Sequence, residues 1–112
     1  MEISFVDVEL ARACNEDVAR ERRYGPLLAP VLRRRLAEIA AAEHLAALRR
    51  LPAARLRAHP TNRHLLLVSL GAAADLHAAP REDPPPLLDD GSLHESAVRS
   101  LMITAVQPAC AA

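Results

Sequence analysis

Apolar residues recur at helical spacing up to Pro52 and in strand-length runs after it, and that switch points to an α+β plan. In the first half, Leu28, Leu32, Leu36 and Ile39 recur every three or four residues and lay one apolar stripe along a helix. Leu45, Leu48 and Leu51 repeat the spacing over residues 44–51, and Pro52 stops it by removing a backbone donor. The two pieces are nearly continuous, so a helical hairpin or one bent helix is expected. Ahead of them, residues 2–6 alternate apolar and polar, as a short strand does. Asp7 is a suitable N-cap for a helix carrying Val8, Leu10, Ala11 and Cys14. The charged stretch 16–23 is expected to be exposed. Tyr24-Gly25-Pro26 punctuates the chain, and Pro30 fits only if the regular helix starts close to it. Arg34 and Glu38 lie one turn apart and are expected to pair.

Beyond Pro52, residues 56–58 read as a short strand and Pro60-Thr61-Asn62 as a turn. Leu65-Leu66-Leu67-Val68-Ser69-Leu70 is an apolar run of strand length, consistent with a strand buried on both faces. Residues 75–79 and 101–106 supply two further strands. Residues 80–91, with Pro84-Pro85-Pro86 inside, read as an extended loop. The expectation is one domain, with a helical half over about 7–52 and a sheet half over about 53–108. Helices over about 8–15 and 28–51, with the N-terminal strand, would pack on one face of a mostly antiparallel sheet.

Composition narrows the function classes. With one Tyr, one Phe and no Trp, the core must be aliphatic. All 14 basic residues are Arg, and 14 acids balance them, which excludes nucleic-acid binding through bulk charge. No apolar run approaches the ~18 residues of a membrane span. The first residues lack the basic region of a signal peptide, and the only cysteines are Cys14 and Cys110. A cytoplasmic protein with free thiols is expected, a Cys14–Cys110 bridge being the alternative. The five His residues show neither His-x3-His spacing nor a Cys-rich partner, so no metal and no cofactor are expected.

Tyr24-Gly25-Pro26, the run Leu32 to Arg35, Leu36-Ala37-Glu38, Ala41-Ala42-Glu43, Leu45 and Leu48-Arg49-Arg50-Leu51-Pro52 carry a resemblance. They look like the HigB-type plasmid-maintenance killer proteins of the RelE/ParE toxin superfamily. Asn62-Arg63, Leu76, Pro80, Asp90-Gly91-Ser92-Leu93 and residues 98–106 continue it through the sheet half. The resemblance implies a RelE/ParE-like fold, ribosome-dependent mRNA cleavage and a cognate helix-turn-helix antitoxin as partner, with ribosome and mRNA as further contacts.

Metal-independent RNA cleavage needs a group to activate the 2′-OH, a group to hold the phosphate and a group to protonate the leaving oxygen. Matched position by position, the resemblance keeps a turn arginine as Arg63 and puts His64 where a lysine would follow. It puts Pro60, Leu65, Leu66 and Asp75 where the other conserved turn and strand residues would be, and Cys110 near the position of a C-terminal histidine. Arg63 and His64 are therefore the candidate catalytic pair, with Arg57, His59, Arg33 and Arg34 as candidate RNA contacts. Asp75 would oppose a phosphate, so weak or absent cleavage is expected. A non-catalytic, antitoxin-binding relative and an unrelated small α+β binding module are the alternatives.

Overall fold

The computed structural model describes residues 1–62 and 65–108. It is α+β. Strand β1 (Glu2–Phe5) leads into helices α1 (Val8–Asn15), α2 (Asp17–Ala41) and α3 (Leu45–Arg49). A 3-10 turn at Pro52–Ala54 precedes β2 (Arg57–Ala58), β3 (Leu66–Ser69) and β4 (Ala74–Pro80). A second such turn at Glu95–Ala97 leads to β5 (Ser100–Pro108). The strands form one sheet in the order β1-β5-β4-β3-β2. Only β1 runs parallel to its neighbour; the β5–β4, β4–β3 and β3–β2 pairs are antiparallel.

The helices form where the local chemistry allows. The Asp7 side chain accepts from the Leu10 N–H at 2.7 Å and caps α1. Gly25, at φ +83°, breaks the long α2, so its second part restarts at Pro26. There a missing N–H is harmless, and Pro30 falls close to the new start. The helix expected over 28–51 is divided as well. It stops at Ala41, and His44 caps α3 by accepting from the Ala47 N–H at 3.2 Å.

Leu32, Ile39, Leu45 and Leu48 from the helices meet Val68, Leu76, Leu101 and Ile103 from the sheet in one aliphatic core. The alternation of β5 is interrupted once. His77 pairs with Ala105 and Ala78 with Ile103, which leaves Thr104 as a bulge and lets Val106 rejoin the core side. As expected, β3 is buried along its whole length.

Three local expectations are corrected. Arg20, inside the stretch expected to be exposed, is buried, and its Nε and Nη2 donate to the Cys14 carbonyl at 3.1 and 2.8 Å. That carbonyl belongs to the last turn of α1, where intrahelical partners run out. Glu38 pairs with Arg35, not Arg34, at 2.5 Å, because Arg35 is turned inward to donate to the Ser69 carbonyl at 2.8 Å. Pro80 ends β4 and does not begin the loop. The Cys14 thiol is free and buried, and burial pushes its pKa up to about 11; Cys110 lies outside the described residues. Among the described residues no helix is long and apolar enough to cross a membrane.

Leu76→Ala should lower stability in urea unfolding by about 2–5 kcal/mol, since its side chain is fully enclosed between helices and sheet. Val18→Ser, at an exposed position of α2, should shift it by less than about 0.5 kcal/mol.

Candidate functional site

Strand register collects polar residues on the face of the sheet away from the helices. Arg57 pairs across with Leu67, and Leu67 with His77. Asp75 lies two residues before His77 on the same strand and so shares its face. Leu67 is buried yet lies outside the apolar cluster that helices and sheet share, which identifies this as the second face.

The Asp75 carboxylate is almost wholly buried, and the Arg57 Nη2 donates to its Oδ2 at 2.8 Å. The other terminal nitrogen of Arg57, Nη1, donates to the Arg55 carbonyl at 3.1 Å. Arg55 itself adopts a left-handed φ of 43°, which turns the chain out of the 3-10 turn towards β2. Arg57 is thus held from two sides while part of its side chain reaches solvent. Because one partner is buried, the pair is screened less than a surface ion pair.

His59 follows β2. Its Nδ1 accepts from the backbone N–H groups of Thr61 and Asn62, both at 3.2 Å. In the neutral ring this puts the proton on Nε2. The ring meets His77 edge-on, with centroids 5.7 Å apart and planes at 63°. The His77 Nε2 is buried and has no hydrogen-bond partner among the described residues. Burial is the main cause that holds His77 below the usual histidine range, with His59 and Arg57 adding to it and Asp75 opposing. The face therefore offers two imidazoles and one guanidinium, and the charge of the guanidinium is already compensated.

Of the residues singled out in the sequence, Arg57 and His59 come together here. Arg63 and His64 lie outside the described residues. Arg33 and Arg34 are exposed on α2, which packs against the opposite face of the sheet, so they do not join this cluster. Two members were not foreseen. From the sequence, His77 is one of five His residues that lack metal-site spacing, and Asp75 is a repulsion towards phosphate and not the partner of Arg57. The alternation Asp75-Leu76-His77 was the available signal, since it sets both polar residues on the face opposite Leu76. Among the described residues no group of three or more His, Cys, Asp or Glu is placed to hold a metal ion.

Beside the cluster lies a cleft of about 380 Å³. Ala58, Leu66, Pro80, Leu87 and Leu93 give it apolar walls, and His59 is part of its lining. Arg49 and Glu95, joined by two hydrogen bonds of 2.7 and 2.8 Å, stand at its other side. Comparison of the chain with protein-family models, with curated proteins and with solved structures finds no match.

The shift of His77 has a measurable consequence. The folded chain resists a proton that the unfolded chain accepts, so the contribution of His77 is complete above the ordinary histidine value of 6.5 and is lost as pH falls through its lower folded value. Melting temperature should therefore fall between pH ~7 and ~5, and His77→Gln should flatten that slope in a thermal melt series.

Proposed function

We propose that this chain is a toxin-like component of a type II toxin–antitoxin system, of the HigB kind, that cleaves ribosome-bound mRNA weakly or not at all. Its place is the cytoplasm, and its partner is a cognate helix-turn-helix antitoxin docked on the helical half or on a sheet edge. The family part of this reading is supported by the motifs of residues 24–52. An element order of strand, helices and then an antiparallel run of strands is compatible with it.

The single observation that carries weak cleavage is the Arg57–Asp75 ion pair of 2.8 Å. A cleaving site must stabilise negative charge that develops on the phosphate, and it does so with cations that are free to meet it. Here the guanidinium on the face already has a carboxylate, and a phosphate brought beside it would also face that carboxylate. At ~4 Å the repulsion between two unit charges is about 4 kcal/mol at an effective dielectric near 20. The same pair favours the second reading, a relative that keeps partner binding and has given up catalysis.

On induction of the native chain, growth should continue and ribosome-bound mRNA should stay intact in primer extension. Asp75→Asn, which frees the Arg57 guanidinium without adding a buried charge, should restore slight cleavage. Strong cleavage by the native chain that Arg63→Ala abolishes would overturn the weak-cleavage reading. Co-expression with an adjacent helix-turn-helix frame should raise soluble yield and melting temperature; no change with either neighbouring frame would count against the partner.

A further inference from the structure

We propose that Arg57, His59 and His77 form an oxyanion-binding site that the Asp75 carboxylate occupies as an internal counter-ion. The inference rests on reading this face as the functional site, but it concerns binding and requires neither ribosome nor antitoxin.

Three groups able to carry positive charge share this face with one carboxylate: Arg57 meets it directly, His77 lies two residues along the same strand, and His59 lies against His77. Arg57 reaches Asp75 from the edge strand, with 37% of its side chain still open to solvent. The Nδ1 of His59 is committed to the backbone of Thr61 and Asn62, which leaves Nε2 as its other ring nitrogen, without a partner among the described residues. His77 lies against His59 and keeps a buried Nε2 with no partner among the described residues. A buried polar nitrogen left unsatisfied is costly, and its presence marks a place where a hydrogen-bond partner is missing. The cross-strand neighbours of His77, Leu67 on β3 and Ala105 on β5, are uncharged. Among the described residues the charged and titratable groups that bear on it are Arg57, His59 and Asp75.

A carboxylate and a phosphate oxygen accept from a guanidinium in the same way. Asp75 therefore stands where an oxyanion would bind, fixed to the same chain and always present. While it is ionised and Arg57 is its partner, the cluster has no surplus charge and an external anion gains nothing. Two changes open it. Neutralising Asp75 releases the guanidinium. Protonating His77 in acid supplies a second cation to Asp75, leaves net positive charge on the cluster and turns Nε2 into a donor. The shared ligand chemistry is a phosphate oxyanion, either free or in an RNA backbone.

The test is calorimetric titration of the full chain with inorganic phosphate and with a short single-stranded oligoribonucleotide, at matched ionic strength and against chloride. Near pH 7.5 the native chain should show no binding of either probe, whereas Asp75→Asn should bind at least about tenfold more tightly. Adding Arg57→Gln to Asp75→Asn should remove that gain. If Asp75→Asn does not fold, the native chain near pH 5.5 serves instead: it should bind phosphate, and His77→Gln should not. Tighter binding of the oligoribonucleotide than of phosphate assigns the site to a nucleic-acid backbone, and equal binding assigns it to the free ion. Absence of binding both in folded Asp75→Asn and in the native chain in acid would overturn the proposal, as would a gain that survives Arg57→Gln. Oxyanion binding without growth arrest supports both readings; strong native cleavage together with an Asp75-gated site would sink the weak-cleavage reading and leave this one standing.

Discussion

The aliphatic layer between the helices and the sheet sets everything else. A chain with almost no aromatic rings has to fill that space with Leu, Ile, Val and Ala, each of which contributes little area alone. It does so with strict alternation along β4 and with one bulge in β5, which holds Leu101, Ile103 and Val106 on the same side. In a strand the residues not used for the core have only one other direction to face. Packing Leu76 and Ala78 inward thus sends Asp75 and His77 outward together, and packing Leu66 and Val68 inward sets Leu67 between His77 and Arg57. The polar cluster is a by-product of core register, and a slip of one residue would bury it among the leucines.

What the sequence made legible was what depends on near neighbours. The α1 N-cap at Asp7, the stripe from Leu28 to Ile39, the stop at Pro52 and the four later strands all follow from spacing over a few residues. What stayed hidden depends on distant partners. Arg33, Arg34 and Arg35 look alike in the sequence, and only the approach of the Ser69 carbonyl distinguishes the last of them. Arg20 sits in a run of charges, and only the unfilled carbonyl of Cys14 draws it in. The Arg57–Asp75 pair is of the same kind, since it requires the β2–β3–β4 register, which no local pattern encodes.

Neutrality recurs at two scales. The whole chain has formal net charge zero, and its buried carboxylate is matched at close range by the arginine that the edge strand brings to it. A buried Asp without a partner would be expensive, so the pair serves the fold before it serves any site. With the pair closed, the guanidinium that the edge strand brings to this face already has its counter-ion. His59 is oriented by the turn that follows it, and His77 by its place in the middle of β4.

The parallel pairing of β1 with β5 has a consequence for the order of folding. Glu2 lies opposite Ser100 and Phe5 opposite Ile103, so the first strand finds its only neighbour in the sheet across nearly the entire described chain. The β2–β3–β4 meander can assemble from short hairpins, and α1 can close against α2 locally, but β1 has no site until β5 has joined β4. Contacts of such long sequence separation bear the loop-closure entropy before any gain and set the slow end of the folding time scale. During synthesis Ile3 and Phe5 therefore wait as an uncovered strand while the rest of the chain emerges. The completed β4–β5 pair is the template on which that strand finally settles.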